Sequence, residues 1–196
     1  MKKIISILLI VILLAVGLFI LTGCGEKEDP MVEETYEYTG RNVKVSISYP
    51  EGSSYKRLEL HSEEGQEHRY EKYMEPNIQL LGDKTYIEVS FESFVHNGEK
   101  SFKVYKETIK SNNTINKDFT ETTINGREAF YRTYNDNIIL SFDMTDLMED
   151  PTDFTSSFYL RVIVMSDNKE EVTGAELFEE EEVQKIINSI KIENMN

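Results

Sequence analysis

Tryptophan is absent from the 196 residues, cysteine occurs once and histidine three times. A single thiol excludes an internal disulfide, so outside a reducing compartment packing alone must hold the fold. It equally excludes a zinc site built from several cysteines. Positive charge is scarce too: 21 Lys and Arg stand against 36 Asp and Glu, a formal net charge of −15. Such a balance repels the phosphates of nucleic acids and of anionic lipid headgroups, so no nucleic-acid partner is expected. There is no internal repeat and no low-complexity tract. What is present is enough apolar material for one core, with 39% hydrophobic residues including 11% aromatic ones.

The N-terminus is organised as an address. Lys2 and Lys3 precede an uncharged run of 19 residues from Ile4 to Thr22, and Gly23-Cys24 closes it with the sole cysteine. As a helix the run would span about 28 Å at about 1.5 Å per residue, close to a bilayer core. The lysines match the positive start of an export signal, and Leu21-Thr22-Gly23-Cys24 resembles the lipobox of bacterial lipoproteins. That resemblance implies cleavage before Cys24, a diacylglycerol on its thiol, and a mature protein hanging from the extracytoplasmic face of the bacterial cell membrane. The run exceeds an ordinary signal core, so an uncleaved transmembrane helix of the same topology is the competing reading. A cysteine buried in a core is the third. On the first reading residues 1–23 are the signal peptide, 24–35 a lipidated tether and 36–196 a single domain. Removing Met1 to Gly23 takes away two lysines and no acid, leaving 19 basic against 36 acidic residues, about −17.

Downstream, Gly25 to Glu34 is charged and reads as tether. Val43, Val45, Ile47 and Tyr49 alternate with polar residues, predicting a strand that Pro50-Glu51-Gly52 turns, with Tyr55 to Leu60 returning as its partner. His61 to Met74 predicts a short helix or loop. Thr85 to Val95 alternates as a strand that Asn97-Gly98 ends, and Glu99 to Ser111 switches to helical spacing through Phe102, Tyr105 and Ile109. Asn125-Gly126 between Thr120–Ile124 and Arg127–Tyr134 is the strongest hairpin signal, because a type I′ turn needs positive φ at both positions. Asp136-Asn137 predicts the next turn and Ile138 to Met144 a third strand of this meander. Phe158 to Met165 is apolar on both faces apart from Arg161, which predicts a central strand covered from both sides. Glu179 to Glu182 open a final helix whose stripe is Val183, Ile186, Ile187 and Ile190. Strands joined by hairpins, with two or three helices, predict α+β with a mostly antiparallel sheet flanked by helices.

The strand and turn Ile47-Ser48-Tyr49-Pro50-Glu51-Gly52, the mid-chain Ile124-Asn125-Gly126 and the closing Ile186-Ile187-Asn188-Ser189-Ile190-Lys191-Ile192 together resemble PsbP/Mog1-type domains. The resemblance implies an antiparallel sheet flanked by helices in proteins that bind partners rather than turn over substrates. Its motifs are structural, so it transfers no functional residue.

Candidate chemistry is thin. His61 and His68 with Glu63, Glu64 and Glu67 offer metal-ligand types, but the spacing matches no zinc pattern. Asp143, Asp146, Glu149, Asp150 and Asp153 could gather oxygens for calcium, yet lack the central glycine of an EF-hand loop. Ser53-Ser54 has no nucleophile-elbow pattern, and His96 no evident triad partner. Tyr70, Tyr73, Tyr131 and Tyr134 could line a groove, though tyrosines of a small sheet more often belong to its core. Cys24, as lipid attachment, is therefore the one site residue expected, with no catalytic residue and no cofactor. The expected function is a lipid-anchored extracytoplasmic interaction or adaptor module with a protein partner; the alternative is a lipoprotein that binds a small ligand or divalent metal.

Overall fold

The computed structural model describes residues 29–38, 43–58, 78–92, 94, 101–112, 117–147 and 159–195. Among these, ten strands and three α-helices form an α+β fold with antiparallel pairing throughout both sheets. The strands are β1 (Met31–Tyr38), β2 (Val43–Pro50), β3 (Lys56–Leu58), β4 (Ile78–Leu81), β5 (Thr85–Glu92), β6 (Lys117–Ile124), β7 (Arg127–Tyr134), β8 (Asn137–Asp143), β9 (Tyr159–Ser166) and β10 (Lys191–Asn194). The helices are α1 (Phe102–Ser111), α2 (Gly174–Phe178) and α3 (Glu181–Ser189). No helix among the described residues is long and apolar enough to cross a membrane.

The strands divide into a three-stranded sheet, β1-β2-β10, and a seven-stranded sheet, β3-β4-β5-β9-β8-β7-β6. Neighbouring residues on one strand face opposite ways, and this separates the layers. Ala129 and Leu160 belong to the main core, with β2, α2 and α3, whereas Phe130 and Tyr159 pack with Phe102 and Tyr105 of α1. The small sheet with α2 and α3 thus covers one face of the large sheet, and α1 covers part of the other. Val45, Ile47, Leu80, Ile87, Leu140, Leu160, Val162, Val164, Val183 and Ile186 are fully buried between the layers. At about 25 cal/mol per Å² of apolar surface, each contributes on the order of 2 kcal/mol.

Local sequence accounts for most elements. Ser101 Oγ accepts from Val104 N at 3.2 Å to start α1. Asn125 and Gly126 take φ of 50° and 80°, the pair of positive values a type I′ hairpin needs. Thr173 and Glu176 form a reciprocal capping box at the head of α2, which draws the Glu176 carboxyl below its usual range. Gly174 follows because a Cβ there would run into the Val164 carbonyl.

Several expectations are corrected. Among the described residues the first strand begins at Met31, not near Tyr36: all eight residues of β1 pair with β2, so residues 31–35 are strand and not tether. Tyr55 to Leu60 does not return beside the first strand. β1 and β10 occupy both edges of β2, so β3 pairs with β4 in the other sheet, and the buried Tyr55 carries the chain across. The turn before β8 is Asn135-Asp136, both with positive φ, one residue earlier than expected. β9 is central, between β5 and β8, but only one of its faces is closed: Leu160, Val162 and Val164 are buried while Arg161, Ile163 and Met165 are half-buried. β8 is the strand closed on both faces, with Ile138 to Phe142 all buried. Glu179 and Glu180 end α2 and cap α3, so the last helix starts at Glu181. The readings at 61–74 and at Asn97-Gly98 lie outside the described residues.

Candidate functional site

The turn joining β6 to β7 does more than reverse the chain. Asn125 Nδ2 donates to Asn188 O and Ile190 O, each at 2.8 Å, so it satisfies carbonyls at the end of α3 that have no partner within the helix. Arg127 extends the clamp. Its Nε donates to Ile192 O at 3.1 Å and its Nη1 to Asp143 O at 3.0 Å. The same Nη1 stands 2.7 Å from Asp146 Oδ1. Asn125, Arg127, Asp143, Asp146 and Ile192, with Gly126, Glu128 and Glu193, line an open polar groove of about 500 Å³.

The second candidate is the face of the large sheet beside α1. Arg161 on β9 stands between two carboxylates of β5, 3.4 Å from Glu88 and 2.7 Å from Glu92, and Ser90 Oγ donates to Glu92 at 3.2 Å. Register puts Ser90, Arg161, Ser141 and Phe130 in one row across four strands, and Glu88, Ile163, Ile139 and Arg132 in the next. Where α1 covers the rows, Tyr105 stacks on Tyr159 with centroids 4.3 Å apart, and its hydroxyl lies 3.5 Å from Ser141 Oγ. Burial, and then the neighbouring Tyr105, push the Tyr159 phenol far above its ordinary range. It stays a protonated hydrogen-bonding group and is no base at neutral pH. Arg161 is held between Glu88 and Glu92, so this cluster carries one net negative charge.

A third feature lies where β1 begins. Met31, Ser48, Glu181, Gln184, Lys185, Asn188 and Ser189 line a shallow, mainly apolar groove of about 610 Å³. Its floor is fixed because Ser189 Oγ accepts from Ser48 N at 2.7 Å, tying the end of α3 to β2.

Among the described residues, the sequence candidates have structural partners or lie on the surface. Asp143 Oδ1 accepts from Thr145 N at 2.9 Å and from its hydroxyl at 2.6 Å, while Asp146 is engaged by Arg127, so the two described members of the acidic loop already serve the turn after β8. Among the described residues no group of three or more His, Cys, Asp or Glu side chains could hold a metal ion. Ser53 is exposed and Ser54 half-buried. Tyr131 packs on Phe178 at 5.1 Å, a core role, and Tyr134 is exposed beneath Arg132. Cys24, His61, Glu63, Glu64, Glu67, His68, Tyr70, Tyr73, His96, Glu149, Asp150 and Asp153 lie outside the described residues. Sequence reading missed the second use of Asn125, the Arg127 clamp and the Arg161 triad, because each partner lies far off in the chain. No protein-family model, no curated protein and no solved structure matches the chain.

Proposed function

We propose that this chain is a lipid-anchored extracytoplasmic protein that works by binding a protein partner, with no chemistry of its own. The observation that carries the reading is the order Lys2-Lys3, an uncharged run to Thr22, and the only cysteine at its end in Leu21-Thr22-Gly23-Cys24. β1 begins at Met31, so a lipid on Cys24 is joined to the fold by a stretch shorter than the expected tether. Open grooves and a sheet face carrying paired charges support recognition of a macromolecule over enclosure of a small one. The acidic excess favours a basic partner by steering.

The test has two parts. Metabolic labelling with a fatty acid should mark the wild-type protein, and Cys24→Ala should abolish the label and leave a full-length precursor. Unlabelled wild type that retains Met1 to Gly23 would move the proposal to a membrane-spanning anchor. Crosslinking on the native membrane should then capture a protein, with less captured at high salt, since charges more than about 8 Å apart are largely screened at physiological ionic strength. Capture destroyed by a chelator would favour the metal-binding alternative.

A further inference from the structure

The two central residues of the β6–β7 turn carry chemistry as well as shape. Asn125 is exposed, and a Cβ built on Gly126 would meet nothing within 4 Å. Asparagine before glycine is the pair in which the following backbone nitrogen is least shielded from the side-chain carbonyl. The hydrogen bonds from Asn125 Nδ2 to Asn188 O and Ile190 O engage the atom that would leave as ammonia. Arg127 holds the same joint between α3 and β10 from the other side of the turn, through Ile192 O.

We propose that Asn125 is a deamidation site whose reaction is gated by the α3–β10 joint. In the reaction Gly126 N attacks Cγ of Asn125 and gives up its proton. The C–N bond to Nδ2 breaks, ammonia leaves, and a five-membered succinimide remains. One water then opens the ring to aspartate or isoaspartate. Water is the sole co-reactant, and no oxidant or reductant is required.

While the joint is seated, the leaving nitrogen is held by two carbonyls, and the Ile124–Arg127 pair fixes the backbone on either side of the turn. Opening the joint frees both. The product cannot restore the clamp. An aspartate would aim a carboxylate at two carbonyl oxygens at the negative end of α3, and an isoaspartate would add a backbone carbon inside a two-residue turn whose length sets the strand register. Deamidation therefore converts a transient opening into a permanent one. This inference stands apart from the lipid anchor and from the identity of any partner.

The test uses the full chain in mild detergent, incubated in mildly alkaline buffer and mapped by peptide mass spectrometry, native and in urea. Asn125 should convert readily in urea. In the native protein it should convert at least about tenfold more slowly, because a joint open a tenth of the time or less reacts in proportion to that fraction. Asp146→Asn and Arg127→Lys, which weaken the clamp and leave Asn125-Gly126 intact, should each raise the native rate several-fold without changing the rate in urea. Circular dichroism should show that the variants remain folded, and Asp146→Asn, at an exposed carboxylate, is the milder of the two. No conversion in urea, equal rates in urea and in the native state, or a native rate unmoved by both variants would overturn the proposal.

Discussion

Tyr55 and Tyr49 show how single side chains couple this fold to pH. Burial, opposed in part by a hydrogen bond with Thr85, pushes the Tyr55 phenol up to about 12. Burial, with the hydrogen bond donated to Glu34 Oε1 at 2.8 Å, does the same for Tyr49, also to about 12. An unfolded tyrosine releases its proton near pH 10. Between about pH 10 and 12 the unfolded chain therefore binds fewer protons than the native one, and stability falls as pH rises. The contribution of each group is complete below about pH 10 and is lost by about pH 12, with Tyr55 alone accounting for roughly 2 kcal/mol. Urea midpoints followed by circular dichroism from pH 8 to 11 should show the decline. Tyr55→Phe should flatten it, and a variant as steep as the wild type would remove burial of this phenol as the cause.

Helix α3 is the element on which the layers converge. Val183, Ile186 and Ile187 are buried against the sheets, Ser189 ties it to β2, and Asn125 closes its last carbonyls. Its apolar stripe was legible from spacing alone, but its start was not, because Glu179 and Glu180 look like any first-turn acids until α2 is seen to use them. Ile187→Asp should cost about 3–5 kcal/mol, since it places an uncompensated carboxylate in the core. Lys185→Ala, on the exposed side and ion-paired with Glu181 one turn away at 3.1 Å, should cost less than about 0.5 kcal/mol. Chemical denaturation of both variants checks the orientation of the helix. Comparable losses would show that the stripe does not face the core.

For the whole molecule the telling feature is where folding begins. β1 pairs Met31 with Pro50 through Tyr38 with Val43, and Thr35 Oγ1 lies 3.0 Å from Ser46 Oγ. A fragment starting at Tyr36 loses Met31 to Thr35 and leaves one edge of β2 bare along most of its length. It should unfold at lower urea than a fragment starting at Asp29, with a smaller denaturant dependence because less surface is buried. Equal midpoints would return residues 31–35 to the tether.

The sequence by itself determined the elements whose cause is local. The Asn125-Gly126 hairpin needs positive φ at adjacent residues, α1 follows from the spacing of Phe102, Tyr105 and Ile109, and β2, β5 and β8 follow from alternation. From these the α+β class with antiparallel pairing could be read. Tertiary structure alone decided the division into two sheets. β1 carries three glutamates and β10 a single isoleucine, so neither resembles a strand until β2 supplies the partner that satisfies its backbone. It also decided the sites. Arg161 meets Glu88 and Glu92, and Asn125 meets Asn188 and Ile190, across separations of tens of residues. Spacing along a chain encodes the period of a helix or strand, whereas encounters of this kind depend on how the layers close.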